Sequence, residues 1–290
     1  MSERPDNLTI RPFKKNSDLE YAAHLTKTEG WHSETFLEIT AFFDHDRNGC
    51  FICEINGEST GICIATAYQQ FGFIGELIVD KQFRNLGIGR VLMQSAIKYL
   101  HQRKIEAIFI DGVQKAIPLY IDLCFRSICR SLRFFGQIDP QENHEIRIIE
   151  QDDLQKIIEI DREYFGDDRS FFLKRRFENY PNLAYIWKKN EKILAFLFAR
   201  IGVGGWVTVG PWINFIDHAD QMVILAHLQA TIGNQPFSIG VLENRSHIIQ
   251  QLVMNGMNPR PDPPTRMILG QGKNPGDNDY CLAIGSPAKG

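Results

Sequence analysis

The stretch Val79-Asp80-Lys81-Gln82-Phe83-Arg84-Asn85-Leu86-Gly87-Ile88-Gly89 decides the fold of this 290-residue chain. An apolar run ends at Val79, a short polar loop follows, and a helical pattern of apolar residues begins after the paired glycines. Glycine permits positive φ and close backbone approach, and a helix N-terminus carries partial positive charge. Such a loop can direct several backbone N–H groups at one anion, so it predicts a binding site for a diphosphate.

The spacing of the loop excludes two other families of phosphate-binding sequence. A dinucleotide fingerprint requires a third glycine where this chain has Leu92, and a tight turn directly after the strand instead of Asp80 to Phe83. The chain also lacks Gly-Lys-Ser and Gly-Lys-Thr, so it has no nucleoside triphosphate loop.

Composition indicates a compact protein without a strongly charged partner. Hydrophobic residues make up 43% and charged residues 23%, and the formal net charge is -3. The longest basic run is Lys174-Arg175-Arg176, so we expect neither nucleic acid nor an anionic membrane as a partner. The N-terminus has no leader pattern, and no apolar run reaches about 18 residues. We therefore expect a cytoplasmic monomer or homodimer.

The cysteines predict reduced thiols and no metal. Most of the six lie within apolar runs, where free cysteine behaves as a small hydrophobic residue. Cys50 and Cys53 form a Cys-x-x-Cys, but no second pair and no histidine at metal spacing accompany them. An extended chain would also direct these two side chains to opposite faces.

The segments around the loop predict a βαβ unit next to an antiparallel hairpin. Asn56-Gly57, the dipeptide that most favours a tight hairpin turn, joins two strand-like runs. The near-continuous apolar run Ile105 to Ile110 predicts a strand that is parallel to the strand ending at Val79. The first half thus predicts a strand over Leu8 to Phe13, helices from Ser17 and over Ser33 to Phe43, strands over Cys50 to Ile55, Gly61 to Tyr68 and Phe73 to Val79, and a helix over Ile88 to Arg103.

A second copy of this order follows the polar segment Gln137 to Asn143, which we interpret as a linker. Ile10-Arg11 precedes Asp18-Leu19 much as Ile146-Arg147 precedes Asp153-Leu154. The same succession of helices and strands can then be read again. The fold class predicted is α+β (α/β), with two tandem domains, each a mixed, mostly antiparallel sheet flanked by helices.

The first copy resembles the GCN5-related N-acetyltransferase (GNAT) superfamily over about residues 8 to 136. The family signature is a valine-ended strand, a basic or amide residue, and two glycines, or a glycine and an alanine, at the head of a helix. Here it is matched by Val79, Arg84, Gly87 and Gly89. The family's tyrosine, leucine, glycine, phenylalanine pattern also recurs at Tyr120 to Phe125, with Cys124 in place of the glycine.

The resemblance implies acetyl-CoA as co-substrate and a different role for each of three segments of the chain. Residues 1–138 would form the catalytic GNAT domain, residues 144–270 a degenerate GNAT-like domain that shapes the acceptor site, and residues 271–290 a flexible tail. The backbone of residues 85–90 would bind the pyrophosphate and the end of the strand would pair with the pantetheine arm. The implied cofactor-binding residues are Leu77, Ile78, Val79, Arg84, Asn85, Leu86, Gly87, Ile88, Gly89 and Arg90.

Two residues are candidates for the proton transfers that acetyl transfer to an amine requires. Tyr120 matches the family tyrosine and is the candidate general acid, with a core tyrosine as the alternative. The positions that commonly hold the base carry Phe73 and Gly75, so Glu76 is the candidate base. Strict strand alternation directs the Glu76 side chain away from the site, unless a β-bulge turns it back towards the site. Its alternative role is a solvated or ion-paired strand carboxylate.

Three further residues are candidates for acceptor binding. Trp31 lies between the first two predicted helices, a region that forms one wall of the acceptor pocket in the family, and is equally a possible hydrophobic plug. His32 beside it is a second possible base. Asp111, at the end of a parallel strand, either orients an amine or caps the following turn.

The second copy has lost the features of the loop. Gly210-Pro211-Trp212 follows its strand with neither the arginine nor the glycine pair. Leu252 occupies the position in the second copy that corresponds to Tyr120 in the first. An intact first module with a degenerate second resembles the YitH-like acetyltransferases. We expect Gly204 to Trp212 and Pro259 to Thr265 to border the acceptor pocket, with a purely structural packing role as the alternative.

These features together predict an acetyl-CoA-dependent N-acetyltransferase. The acetyl group would pass to a primary amine, of a small molecule or peptide, by direct attack in a ternary complex. The alternative is a non-catalytic acyl-CoA-binding sensor. Tyr120 favours the enzyme, whereas Phe73 and Gly75 at the usual base positions favour the sensor.

Overall fold

The computed structural model describes residues 7–14, 16–31, 34–218 and 220–290. The chain folds as two copies of one order of elements. The first copy consists of β1 (Leu8–Pro12), α1 (Asn16–Thr28), α2 (Phe36–His45), β2 (Cys50–Ile55), β3 (Glu58–Ala67), β4 (Gly72–Val79), α3 (Ile88–Gln102), β5 (Ile108–Gly112), α4 (Ile117–Asp122) and β6 (Arg126–Gly136).

The second copy repeats this order and adds two short strands. It consists of β7 (Ile146–Ile148), α5 (Gln151–Phe165), α6 (Ser170–Asn179), β8 (Ala184–Lys189), β9 (Lys192–Ile201), β10 (Val207–Asn214), α7 (Val223–Ile232), β11 (Phe237–Leu242), α8 (Ser246–Met254), β12 (Asn258–Pro259), β13 (Thr265–Leu269) and β14 (Cys281–Ala283). The segment between β6 and β7 has no regular structure. The predicted fold class is therefore confirmed.

Equivalent interactions recur in the two copies. Asn56 and Gly57 adopt φ of 53° and 82°, the double positive φ of a two-residue hairpin, and Asn190 and Glu191 do the same in the second copy. Arg11 pairs with Asp18 at 2.8 Å, and Arg147 pairs with Asp153 at 2.6 Å. The repeat read from the sequence is thus visible in turns and in side-chain pairs.

The two copies exchange a strand. One sheet runs in the order β1-β2-β3-β4-β5-β13-β6-β11-β10-β9-β8-β7, so β13 of the second copy lies between β5 and β6 of the first. The second part of β6, from Ser131 to Gly136, pairs instead with β11 of the second copy. Each copy therefore completes its sheet with a strand from the other. The domain boundary predicted at residue 138 does not separate the sheet into two parts.

A buried ion pair lies at this junction. Arg266 on β13 stands opposite Asp111 on β5 and opposite Cys129 on β6. Its Nε donates to Asp111 Oδ1 at 2.5 Å, and both side chains are fully buried. A charge pair of this kind fixes register, because a slipped pairing leaves both charges buried without partners.

The predicted flexible tail over residues 271–290 is wrong. β14 pairs with β10, and the Lys289 Nζ donates to Glu38 Oε2 at 2.9 Å in a buried position. The prediction rested on the small side chains of residues 271–290, which are typical of a loosely packed segment. In the structure Ala288 fits against Gly75, where a Cβ on the glycine would lie 2.3 Å from the Ala288 Cβ.

Membrane insertion of a helix has no support in the described part of the chain. None of the helices formed by residues 7–14, 16–31, 34–218 and 220–290 is long and apolar enough to span a bilayer.

We predict that Arg266→Met lowers the free energy of unfolding by about 2–3 kcal/mol, because Asp111 loses the hydrogen bonds from Arg266 while its pairing with Arg133 remains. Urea denaturation of the full chain measures the loss. Arg126→Met, at the exposed start of β6, is the matched control and should change stability by less than about 0.5 kcal/mol. Equal effects of the two substitutions would contradict the role of the buried pair.

Candidate functional site

A cavity of about 310 Å³ lies between the two copies. We call it the interdomain cavity. Its walls come from both copies and from the C-terminal segment, and they include Ile74 to Leu77, Ile110, Asp111, Tyr120, Arg133, Thr208, Val209, Ser238 to Gly240, Arg260 to Pro264 and Ile284 to Ala288. The segments expected to border the acceptor pocket, around Trp206 and Arg260, do line this cavity.

The loop between β4 and α3 has the geometry of an anion site. Asn85 and Gly87 adopt φ of 66° and 77°, and α3 begins at Ile88. The N–H groups of residues 86–89 make no hydrogen bond to any residue that the structure describes. Unsatisfied N–H groups at a helix N-terminus are the donors that a diphosphate needs.

Arg84 joins this loop to the end of the strand. Its Nε donates to the Val79 carbonyl at 3.0 Å, and its guanidinium forms an ion pair with Glu29. Glu29 also pairs with Lys115 at 2.7 Å. Arg90, the last predicted cofactor residue, pairs with Asp122 at 2.8 Å on an exposed surface. The loop itself therefore contributes Arg84 beside its open N–H groups, and all three of these cations are paired with carboxylates.

β4 and β5 separate beyond their first residues. They pair in parallel only at Gly72 with Ile108 and Phe73 with Phe109. On its other edge β4 stays bonded to β3, up to Val79 opposite Gly61. The edge of β4 that faces β5 is therefore open along residues 74–79, which include the predicted cofactor residues Leu77, Ile78 and Val79.

A β-bulge occurs at Glu76. β3 and β4 shift register so that Glu76 and Leu77 together oppose Cys63, and Glu76 has a φ of 50°. Glu76 lines the interdomain cavity at this bulge, although the residue is only 3% exposed. Burial, with the nearby charge of Glu34, raises the pKa of the Glu76 carboxyl well above its usual value. Its Oε2 has no hydrogen-bond partner among the described residues.

Tyr120 lines the same cavity. It lies on α4 and is 3% exposed, with its ring 6.2 Å from that of Phe125 and in contact with Gly112. Burial raises the pKa of the phenol. The structure therefore brings the two predicted proton-transfer residues to one cavity.

The three predicted acceptor residues have different surroundings. Trp31 lines the interdomain cavity and also packs against the core beneath α1. His32 lies outside the described residues. Asp111 neither caps a turn nor presents a free carboxylate, since it accepts hydrogen bonds from Arg266, Arg133 and Ser131. A buried carboxylate between two arginines was not visible from the sequence, because both partners are distant in the chain.

The usual base positions are filled by other groups. Phe73 packs in the core, with its ring 6.4 Å from that of Phe109. Gly75 faces Ala288 of the C-terminal segment. Sequence reasoning missed this segment and Arg133, because neither carries a local signal of a site.

The second copy has the same pair of diverging strands, but here the chain itself fills the gap. β10 and β11 pair only over residues 207–209 and 237–239. β14 then pairs with β10 at Trp212 and Ile213, and the Ile284 N–H donates to the Gly240 carbonyl on β11 at 3.0 Å. A strand thus occupies the place that stays open in the first copy.

Comparison with known proteins identifies both copies. Residues 16–123 match the family model described as "Acetyltransferase (GNAT) family", and residues 157–283 match a "Acetyltransferase (GNAT) domain" model. The chain belongs to the GNAT acetyltransferase family. This tandem GNAT acetyltransferase is therefore an N-acetyltransferase by family, with two modules of the same fold.

Relatives of the tandem GNAT acetyltransferase resemble either one copy or both. N-alpha-acetyltransferase 30 of Dictyostelium discoideum is 25% identical over 131 residues, which cover 43% of this chain and 71% of that protein. A crystal structure of an acetyltransferase-like protein from Pyrococcus horikoshii superposes with a TM-score of 0.82, at 19% identity, over 98% of this chain and 96% of that one. N-myristoyltransferase of Saccharomyces cerevisiae with bound myristoyl-CoA has a TM-score of 0.66 at 9% identity, over 97% and 89% of the chains. Both structures share the fold.

We predict that Gly87→Ala raises the dissociation constant of CoA about five- to thirtyfold, while Gly89→Ala leaves it nearly unchanged. Alanine in the left-handed conformation of residue 87 costs about 1–2 kcal/mol, and binding must restore that conformation. Residue 89 has a helical φ and room for a methyl group. Isothermal calorimetry compares the three proteins, and equal affinities would contradict a role of this loop in binding.

Proposed function

We propose that this protein is an acetyl-CoA-dependent N-acetyltransferase that acetylates a primary amine by direct attack in a ternary complex. The observation that carries the proposal is the position of Glu76 and Tyr120 on one cavity beside the open edge of β4. Residues 1–138 contain the proposed catalytic module, and residues 144–270 contribute the opposite wall. A cytoplasmic location fits this activity, because acetyl-CoA is an intracellular metabolite.

The residues of the first domain fit the coenzyme. The N–H groups of residues 86–89 bind the pyrophosphate, and the backbone of Leu77 to Val79 holds the pantetheine arm. When bound, acetyl-CoA supplies the activated acetyl thioester. The second cleft cannot take the same ligand while β14 pairs with β10.

Glu76 accepts the proton of the attacking amine. A lysine-like amine with a reference pKa of about 10.4 is almost fully charged at neutral pH, and neutralising it costs about 4–5 kcal/mol, whereas a peptide α-amine with a reference pKa of about 7.7–8.0 costs about 1 kcal/mol. A carboxylate with a raised pKa is a stronger base than an ordinary one, and a general base works best near the operating pH. The burial of Glu76 therefore supports its role.

Tyr120 donates a proton to the departing sulfur. Because burial raises its pKa, the phenol stays protonated at neutral pH and holds a proton to deliver. Its ring is fixed between Gly112 and Phe125. A fixed donor needs no reorganisation when the tetrahedral intermediate collapses.

The acceptor is a small molecule or peptide with a primary amine. A cavity of about 310 Å³ admits a small molecule or the end of a flexible chain. The similarity to N-alpha-acetyltransferase 30 supports an α-amine as the group that is acetylated.

An acyl-CoA sensor is the second candidate function. Gly75 against Ala288 favours it, because a usual base position is closed. Thiol release from acetyl-CoA in the presence of an amine library separates the two: a sensor binds the coenzyme without turnover.

We predict that Tyr120→Phe lowers kcat about 10²- to 10⁴-fold with little change in CoA affinity, since the phenol acts only on the leaving group. Steady-state kinetics and calorimetry measure the two quantities. Tyr280→Phe, at an exposed tyrosine outside the cavity, is the matched control. Unchanged turnover in the Tyr120 variant removes it from the mechanism.

We predict that Glu76→Gln abolishes the acid limb of the kcat/KM profile. In the wild type the rate falls as pH falls through the raised pKa of Glu76, because only the carboxylate accepts the proton. The raised pKa also means that the folded state favours the protonated carboxyl. Wild-type stability relative to the variant is therefore highest at low pH and is lost as pH rises through that pKa.

Rate profiles and thermal unfolding between about pH 5 and pH 8 measure both effects of Glu76→Gln. Glu58→Gln, at an exposed glutamate on β3, controls for the change of charge. A wild-type acid limb that persists in the Glu76 variant excludes Glu76 as the base.

A further inference from the structure

A surplus positive charge lies at the wall of the interdomain cavity. Arg133 on β6 and Arg266 on β13 both pair with Asp111, at 3.4 Å and 2.5 Å. Within the described part of the chain, Asp111 is the sole carboxylate that either arginine pairs with. Two guanidinium groups thus share one carboxylate, and one positive charge is left over.

Arg200, another arginine at the cavity, differs from Arg133. It has its own carboxylate, Glu34, at 3.1 Å. The contrast shows that the surplus at Arg133 is local and is not a general property of the cavity.

The Arg133 guanidinium is held in place by the protein. Its Nη1 donates to the carbonyls of Ser131 and Leu132, each at 2.9 Å. Its side chain is 17% exposed and lines the cavity, and its Nε makes no hydrogen bond to a described residue. A rigid, partly desolvated guanidinium with a spare donor is suited to bind a carboxylate, whose geometry matches its fork of N–H groups.

A second arginine stands next to Arg133. The backbone N–H of Arg260 donates to the Arg133 carbonyl at 2.7 Å, so the two residues are on directly bonded segments. The Arg260 guanidinium lies over the rings of Phe135 and Trp206, at 5.8 Å and 6.0 Å. It lines the cavity from an exposed position, which places it towards the entrance.

We propose that the acceptor is an amino acid, whose amine is engaged by Glu76 and whose carboxylate is bound by Arg133 and Arg260. The inference rests on the proposed function, because it names the acceptor of that reaction. The cavity carries the acidic Glu76 on β4, the basic Arg133 on β6, and both Arg260 and Asp262 on the neighbouring loop. An amine without a carboxylate leaves the surplus guanidinium charge unpaired. A zwitterion offers an amine to Glu76 and a carboxylate to the arginines. The volume of about 310 Å³ lies near the lower limit for small-molecule sites, which fits an acceptor of this size.

The test compares acids with their carboxamides as acceptors. The panel contains the proteinogenic L-amino acids, glycine, β-alanine and γ-aminobutyrate, so that the distance between amine and carboxylate varies, and each is paired with its carboxamide. Thiol release from acetyl-CoA by the full chain gives kcat/KM for every compound. We expect at least one acid to exceed its carboxamide tenfold or more, mainly through a lower KM, because the amide lacks the charge that the arginines bind.

Variants assign this preference to the two arginines. Arg133→Gln and Arg260→Gln should each lower the acid-to-amide ratio at least tenfold, and Arg133→Lys, which keeps the charge, should retain part of it. Arg126→Gln, at an exposed arginine on the same strand, should keep the wild-type ratio. Arg260 is exposed, so its variant tests the proposal even if Arg133→Gln does not fold.

The outcomes separate this inference from the proposed function. Acids and carboxamides acetylated equally well, or a ratio unaffected in every glutamine variant that folds, would overturn the amino-acid proposal while the N-acetyltransferase activity stands. Absence of thiol release with every compound, and with an added library of amines that lack a carboxylate, would overturn both.

Discussion

The buried pairing of Arg266 with Asp111 holds the exchanged strands in register, and the rest of the molecule depends on that exchange. Because β13 completes the sheet beside β5 and β6 completes the sheet beside β11, neither copy has a finished core without the other. The interdomain cavity is therefore a fixed feature of one continuous sheet. Its walls come from both copies.

The two copies differ in what occupies the gap between their diverging strands. In the first copy the gap is lined by an open strand edge and ends at a loop whose N–H groups have no partner among the residues that the structure describes. In the second copy β14 fills the gap, and Gly210 allows the Ile284 carbonyl to approach. A gap that the chain fills with its own strand has no place for a pantetheine arm. The second copy thus lacks both the loop after β10 and the open gap, which β14 fills.

Local features of the fold could be predicted from the sequence, and long-range ones could not. Asn56-Gly57 specifies its hairpin through positive φ, and the glycine pair specifies the loop before α3. The exchange of β6 and β13 has no such signal, because equivalent strands of a repeat have equivalent patterns and either can complete either sheet. Arg133 was missed for a related reason: in sequence it is an ordinary strand arginine, and only the fold sets it beside Asp111.

The position of Glu76 follows from the C-terminal segment. Ala288 occupies the space in front of Gly75, so no side chain at that position can reach the cavity. The next residue can reach it only if the strand alternation is broken, and the bulge with positive φ at Glu76 does this. Strain in a non-glycine residue and burial of an ionisable group both reduce stability, and they coincide at a single residue. A protein that tolerates both costs at one carboxylate, within reach of its cavity, gains a base whose pKa is raised mainly by burial and further by the nearby charge of Glu34.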